Sequence, residues 1–526
     1  MASVVHPLQV KHSNFRLPPL AATRTPTSIV LLRMCQDCCE VRQLHAQLVV
    51  SGLIDRPISA GRLIESYVSA HRICYALSVL STIPSPEVFA YNTIIRGLTL
   101  AKCPNDSILL FDELLQGGIT PDNYTYTFVL KACSHLKALP EGKQVHGQII
   151  KAGKRPETHI HSSLIHMYAK SGSMHSAERV LAEFSEENVL AKNAMITGYQ
   201  SQGHVKTARE MFDKMSIKDA ASWSAMVTGY TKNEMHAEAL VTFRDMMASQ
   251  VQPNESVLVS ALSACSHLGA IDQGRLIHMY IDKLGANVSV TLGTSLVDMY
   301  AKCGCIEYSY EVFRNMPKKD VITWGVILSA FAMHGQAEKC FKLFDEMVNG
   351  GTRPNKVLFV AILSACSHAG YVELGLSYFN QMIHCYGIRP SIEHHGCMVD
   401  LLGRAGRLAE AEEFISSMTE EPNAIIWSTL LSACRTYKDR RTGERAFKQL
   451  MKLEPASGDR HKQGGFLVAD GGEKYANKIR KLIRDENLET SCGWSFIEVN
   501  GVIHKFIVGN MDHSRSQEIY GILEGG

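Results

Sequence analysis

Residues 132–135 read Ala-Cys-Ser-His, and the same four residues return at 264–267 and 365–368. A second tetrapeptide, Met-Tyr-Ala-Lys, occupies 167–170 and 299–302. The spacings of 132 and 101 residues for the first tetrapeptide, and of 132 for the second, can all be built from steps of 31 and 35 residues. A period of about 20 to 50 residues is typical of a solenoid, in which each unit buries its apolar face by stacking on its neighbours. The repeat therefore predicts the fold.

Composition is compatible with this interpretation and argues against several others. The chain has 526 residues, of which 45% are hydrophobic, and no apolar run approaches the ~18 residues of a membrane span, so no membrane partner is expected. Three of the 15 cysteines, Cys133, Cys265 and Cys366, share one repeat register. Because each unit would need the same bonding partner, buried thiols in a reducing compartment are favoured over disulfides. A net charge of +2 means that a nucleic-acid partner must be held by local geometry.

The N-terminal segment has the composition of an organelle transit peptide. Arginine, serine and threonine are frequent, and the first acidic residue is Asp37. This composition differs from the continuous apolar core of a secretory signal. Residues 1–26 are therefore predicted to direct the chain to the mitochondrion, with the chloroplast as the alternative destination. The alternative is that these residues form a disordered tail without a targeting role.

One unit, residues 88–122, shows why each repeat should be a helical hairpin. Apolar residues in 91–98 follow the i, i+1, i+4 pattern of a helix. A Pro-Asn-Asp break then offers Asn105 or Asp106 as the N-cap of a second helix, and the glycine pair at 117–118 ends that helix. The same register predicts further units. They begin near Pro57, Val88, Asn123, Thr158, Val189, Ala220, Glu255, Val290, Val321, Lys356 and Ile392.

The stretches at 91–95, 164–170, 295–304 and 399–406 resemble pentatricopeptide repeats of the plant type, in which P, L and S variants alternate (the PLS subfamily). The resemblance implies an all-α fold, a right-handed α-solenoid superhelix of helix-turn-helix repeats, with a small C-terminal β-hairpin. It also implies a domain order. The expected segments are a transit peptide (1–26), degenerate repeats (27–87), the repeat array (88–423), an E1-like extension (424–455), a degraded E2-like extension (456–491) and the truncated start of a DYW-like (E+) segment (492–526).

Repeats of this family read single-stranded RNA at one base per unit. By resemblance, the fifth and the last residue of each unit are the base readers. An amide offers a donor and an acceptor, whereas a carboxylate only accepts. The predicted reading pairs are Asn92 with Asp122, Ser162 with Asn188, Asn193 with Asp219, Ser224 with Asn254, and Thr294 with Asp320. Asn355 and Asn423 close units whose fifth residues, Gly325 and Gly396, carry no reading group.

These pairs predict the RNA string 5′-U-N-A-U-A-N-G-N-N-N if the family's parallel orientation holds. The second residue of each unit is expected to sandwich the bases. These residues are Phe89, His159, Leu190, Thr291 and Ile322, whereas Ala221 is too small. For any single unit, a helix cap or turn explains the same Asn, Asp or Ser equally well. Recurrence at one register favours reading.

The C-terminal part resembles plant organelle editing factors. Residues 424–455 resemble the E1 extension, and 492–504 read as a strand, an Asn-Gly turn and a strand, like the opening of a DYW deaminase domain. A cytidine deaminase needs His-x-Glu and Pro-Cys-x-x-Cys. Only His236-Ala237-Glu238 and an isolated Cys-x-x-Cys at 35–38 are present. No catalytic residue, metal site or cofactor is therefore predicted, and the chain is not expected to be an enzyme.

Three functions follow from these observations. The first is site recognition for C-to-U editing of an organelle transcript, with a DYW-type deaminase and other editing factors acting in trans. The second is stabilisation, processing or translation of an organelle RNA without editing. The third is a protein-binding α-solenoid, which would leave the recurring polar register unexplained.

Overall fold

The computed structural model describes residues 38–153, 158–183, 188–285, 288–453, 494–499 and 502–507, together with residue 516. Within these residues the chain forms 25 α-helices, one short 3₁₀ helix at Leu53–Asp55 and one pair of strands. The predicted transit peptide and the degraded E2-like extension lie outside the described residues.

The helices alternate along the chain as first and second members of hairpins. They are α1 (Cys38–Val50), α2 (Pro57–Ser69), α3 (Ile73–Thr82), α4 (Val88–Leu100), α5 (Pro104–Gln116), α6 (Asn123–Leu136), α7 (Leu139–Lys151), α8 (Thr158–Lys170), α9 (Met174–Ala182), α10 (Val189–Ser201), α11 (Val205–Asp213), α12 (Ala220–Lys232), α13 (His236–Ala248), α14 (Glu255–Leu268), α15 (Ile271–Lys283), α16 (Val290–Lys302), α17 (Ile306–Asn315), α18 (Val321–Met333), α19 (Ala337–Asn349), α20 (Lys356–Ala369), α21 (Val372–His384), α22 (Ile392–Arg404), α23 (Leu408–Ser416), α24 (Ala424–Tyr437) and α25 (Arg440–Leu453).

The chain divides into two compact bodies, one up to Lys218 and one from Asp219 onward. Within the first body, the first helices α2, α4, α6, α8 and α10 each pack on the next, and every second helix packs on its own partner. In the second body, each first helix from α12 to α22 packs in the same way on the next first helix, and the last of these contacts is between α22 and α24. The all-α solenoid of helical hairpins that the sequence predicts is confirmed.

The first helix of each hairpin from α2 to α22 begins at the residue where the sequence places the start of a unit. One local prediction is wrong. The second helix α5 begins at Pro104 with Cys103 as its N-cap, and neither Asn105 nor Asp106 caps it. Proline is well suited to the first helical position, because its fixed φ matches the helix and its missing N–H would have no partner there. The pair at 117–118 does end α5, with Gly118 at φ +71°.

The interior of each body is apolar and continuous between hairpins. Phe313, Phe331 and Phe359, from three successive hairpins of the second body, are fully buried in one cluster. Cys133 and Cys366 are free thiols without exposed surface, and burial raises the pKa of each to about 12. The thiols of the repeated tetrapeptide therefore act as small core groups.

Two elements follow the last predicted repeat. Helices α24 and α25 form one more hairpin, and α24 shares a core with α22 through Leu402, Leu430 and Leu431. Strands β1 (Trp494–Val499) and β2 (Val502–Ile507) pair antiparallel, in a register that sets Val499 opposite Val502. The predicted Asn-Gly turn between them lies outside the described residues. No helix in the described part of the chain is long and apolar enough to cross a membrane.

Candidate nucleic-acid interface

The last residue of seven repeat units caps the first helix of the next unit. In every case a side-chain oxygen accepts the backbone N–H of the third residue of that helix, at 2.8 to 3.1 Å. These caps are Asp122, Asn188, Asp219, Asn254, Asp320, Asn355 and Asn423. The cap uses one side-chain oxygen, so an aspartate keeps a second acceptor and an asparagine keeps an amide donor.

In the unit that begins at Val88, the fifth residue and the last residue are in direct contact. Asn92 Nδ2 donates to Asp122 Oδ1 at 2.9 Å, and the same carboxylate accepts from the Thr125 backbone N–H and hydroxyl. Asn92 is only 7% exposed, and its Oδ1 has no hydrogen-bond partner among the described residues. A buried carbonyl oxygen without a partner costs free energy, and the hydrogen bond to Asp122 fixes the orientation of the Asn92 amide.

This pair lies in a groove of about 620 Å³ between α2, α4 and α6. Two aromatic rings also line the groove: Phe89 is 43% exposed and Tyr124 is 69% exposed. The Arg62 guanidinium lies 5.5 Å from the Phe89 ring centroid. Rings and a recessed amide in one groove can contact both the face and the edge of a planar heterocycle. Tyr124, the second residue of its unit, was not among the predicted sandwich residues.

Thr294 and Asp320 are connected through a third side chain. Thr294 Oγ1 lies 2.8 Å from Thr323 Oγ1, and the Thr323 hydroxyl donates to Asp320 Oδ1 at 2.8 Å. The Thr323 backbone N–H, which also donates to that carboxylate, lowers the pKa of Asp320 below its usual value. Asp320 is therefore an acceptor at neutral pH. Thr323 occupies the same register position as Thr125, so the two units differ mainly in their fifth residue.

The other predicted base readers at fifth positions are buried or half-buried. Asn193 is buried, and Ser162 and Ser224 are half-buried. All five predicted sandwich residues, Phe89, His159, Leu190, Thr291 and Ile322, are exposed. In each first helix, the fifth residue is thus recessed while the second stands at the surface.

The two glycines at fifth positions leave open space. A Cβ placed on Gly396 would meet no atom within 4 Å, and one on Gly325 would meet only the Leu358 side chain at 3.9 Å. Gly396 lines a smaller groove of about 310 Å³ together with Asn423. The space that a side chain would fill is therefore present in the last unit, although the side chain is missing.

Basic residues at the thirteenth position of seven first helices were missed by the sequence analysis. They are His135, Lys170, Lys232, His267, Lys302, His368 and Arg404. The lysine and the histidine that end the two repeated tetrapeptides are members of this set, so recurrence itself was the signal. His368 and Arg404 line a groove between α20, α22 and α24. In that groove the Arg404 guanidinium pairs with the Asp400 carboxylate at 2.8 Å.

The fragments of a zinc-deaminase motif that the sequence contains do not form a metal site in the described part of the chain. His236 begins α13, and its ring stacks on His267 at 4.3 Å between centroids. No group of three or more His, Cys, Asp or Glu side chains that could hold a metal ion occurs among the described residues. Cys35 of the Cys-x-x-Cys pair lies outside them.

Helical hairpins stacked in one register, several of them with a recessed polar side chain at the fifth position and a polar cap at the last, define an α-solenoid with recurring polar positions. Matches to the PPR repeat family cover residues 86–135 and 319–368. Further matches to the PPR repeat cover 159–189, 192–219, 221–251, 294–321, 357–386 and 394–422. The chain belongs to the pentatricopeptide repeat family.

Curated relatives are similar in sequence to this chain over most of their length. A pentatricopeptide repeat-containing protein of Arabidopsis thaliana is 39% identical over 493 residues, which cover 93% of this chain and 79% of the relative. A second Arabidopsis thaliana member, whose name includes the word chloroplastic, is 33% identical and covers 96% of this chain and 83% of itself. Among solved structures, the pentatricopeptide repeat protein PPR10 from maize aligns with a TM-score of 0.46 and 17% identity, over 88% of this chain and 73% of that one.

Proposed function

We propose that the chain is a sequence-specific single-stranded RNA-binding protein of a plant organelle. The observation that carries the proposal is the hydrogen-bonded Asn92–Asp122 pair, which lines one groove together with the exposed rings of Phe89 and Tyr124. A nucleobase offers the matching surfaces: a flat face for the rings and donors and acceptors on its Watson–Crick edge. A protein-binding solenoid would not need polar side chains that recur at these two register positions.

Base discrimination follows from the cap geometry. A capping aspartate presents only acceptors, and it therefore favours uracil and guanine, which carry an N–H at the centre of the Watson–Crick edge. A capping asparagine keeps an amide donor and favours adenine and cytosine, which carry an acceptor there. The fifth residue sets the remaining space: the long amide of Asn92 leaves room for a pyrimidine, and the short hydroxyl of Ser162 or Thr294 leaves room for a purine.

Replacing Asn92 with alanine tests the proposal directly. We expect Asn92→Ala to weaken binding of an oligonucleotide with the predicted string by about five- to tenfold, because the base edge loses its partner. Fluorescence anisotropy with labelled RNA measures the affinity. The matched control is Asn105→Ala, since Asn105 is an exposed amide on α5 outside the groove. Equal affinities for Asn92→Ala, the control and the unchanged protein would contradict the proposal.

Adding a side chain at Gly396 is the converse test. We expect Gly396→Asn to create a fifth residue in the last unit and, with Asn423, a preference of about fivefold for cytosine at the tenth base of the string. The substituted side chain has open space to occupy. Gly396→Ala is the control, because it adds the Cβ without the amide. A similar gain in both variants, or in neither, would argue against base reading at this register.

We further propose that the bound RNA is an organelle transcript and that the chain selects a cytidine for C-to-U editing. The E1-like hairpin α24–α25, the strand pair β1–β2 and the acid-poor N-terminal segment support this proposal. So does the relative named chloroplastic. The deamination would be performed in trans by a DYW-type protein. Sequencing organelle cDNA from plants that lack the chain should show one C-to-U change lost; unaltered editing with altered transcript level or processing would support the second function instead.

A further inference from the structure

We propose that the groove between α22 and α24 binds one more nucleotide of the same RNA strand, on the 3′ side of the segment read by the repeats. This inference rests on the proposed function and extends it to the E1-like hairpin. The groove has a volume of about 770 Å³ and lies between α20, α22 and α24. It is the continuation, in the second body, of the surface on which Gly396 and Asn423 lie.

Helix α24 follows α22 at the spacing of a true repeat. A Cβ on Gly403 would lie 2.9 Å from the Ala433 Cβ, so the two helices approach as closely as a glycine permits. The same two register positions, twelfth and tenth, meet at Ala169 and Gly198, where a Cβ on the glycine would lie 2.4 Å from the alanine. Because one helix spacing serves one base along the array, α24 stands where the next base would lie.

Helix α24 also carries the side chains of a reading unit. Its second residue, Ile425, is 65% exposed, which is close to the 67% of Ile322 in a predicted sandwich position. Its fifth residue, Ser428, lines the groove and has a hydroxyl like Ser162 and Ser224. Helix α24 thus carries both an apolar side chain for the base face and a hydroxyl for the base edge.

The groove wall is polar, and its charges compensate one another. Asp400 accepts from the Ser367 hydroxyl at 2.5 Å and from Arg404 Nε at 2.8 Å, and the Tyr437 hydroxyl donates to the Arg404 carbonyl. Hydroxyls line the opposite side, on Thr429, Ser432 and Thr436. A carboxylate neutralised by a guanidinium does not repel RNA, and hydroxyls both donate and accept. This chemistry suits a base edge and a ribose more than an isolated phosphate.

The test compares three oligonucleotides: the ten-base predicted string, the string with one added 3′ nucleotide, and the string with one added 5′ nucleotide. We expect the 3′ addition to tighten binding by about fivefold, the lower end for one base contact, and the 5′ addition to do less. The gain should persist when the salt concentration is raised, because it does not come from counterion release.

Ser432→Phe fills the groove and should abolish the gain from the 3′ nucleotide while leaving affinity for the ten-base string unchanged. The matched control is Ser416→Phe, since both serines are exposed and Ser416 lies on α23 outside the groove. Thermal unfolding checks that both variants are folded. Ser428→Ala should reduce the gain and gives a second variant without added bulk.

The outcomes are separable. If the unchanged protein ignores the ten-base string, the proposed function fails. If it binds that string but gains nothing from the 3′ nucleotide, or if Ser432→Phe keeps the gain, only this inference fails. If the groove binds a protein partner instead, the protein should bind the ten-base string and gain nothing from the added 3′ nucleotide.

Discussion

Replacing Thr294 with asparagine is expected to change the base preferred by its unit from guanine to uracil, by about tenfold in relative affinity. The variant would place an amide beside Asp320 and Thr323, the arrangement that Asn92 makes with Asp122 and Thr125. The longer side chain takes up the space of a purine, while the capping carboxylate still selects a base with a central N–H. One mispaired base edge costs about 1 to 3 kcal/mol, which spans tenfold.

The measurement is a competition between RNAs that differ only at the seventh base of the string. Ser295→Asn is the matched control, because it makes a comparable hydroxyl-to-amide change at the next residue, whose hydroxyl bonds to the Thr291 carbonyl. The control should keep the guanine preference. If Thr294→Asn weakens all four RNAs equally, the fifth residue has no part in base selection.

Replacing Gly198 with alanine should lower the free energy of unfolding by about 1 to 3 kcal/mol, the usual cost of overpacking. The added Cβ would lie 2.4 Å from the Ala169 Cβ and 3.3 Å from Met174 Sδ. Ala169 is fixed by its own backbone and cannot rotate away, so α8 and α10 must separate. Since hairpins in a solenoid are stabilised mainly by their neighbours, the loss falls on the interface between adjacent units.

Denaturant unfolding followed by circular dichroism measures the effect. The control is Gly147→Ala on α7, where a new Cβ meets nothing within 4 Å. That variant should gain about 0.5 to 1 kcal/mol, because alanine favours a helix over glycine. Opposite signs for the two glycine-to-alanine changes are the expected result, and a stabilised Gly198→Ala would contradict the close approach of α8 and α10.

The sequence alone could predict the architecture of the repeats. Period, apolar pattern and breaking residues place the first helices at their observed starts, because each hairpin is specified locally and repeats with little change. The error at Pro104 concerned one cap, where two local rules competed and the preference of proline for the first helical turn prevailed. The register of the fifth and last residues was also readable, since recurrence is a property of sequence.

Only the tertiary structure decided how those residues meet. The Asn92–Asp122 hydrogen bond joins residues 30 positions apart, and Thr323 links Thr294 to Asp320 across two hairpins. The sequence offered capping and reading as alternatives, whereas the capping geometry leaves a second side-chain atom for a ligand. Tyr124 and the groove beside Ser428 likewise depend on which helix faces which. The local sequence pattern determines where a helix forms. Which helix lies across a groove is determined by packing between helices, and the sequence of a single helix does not specify that packing.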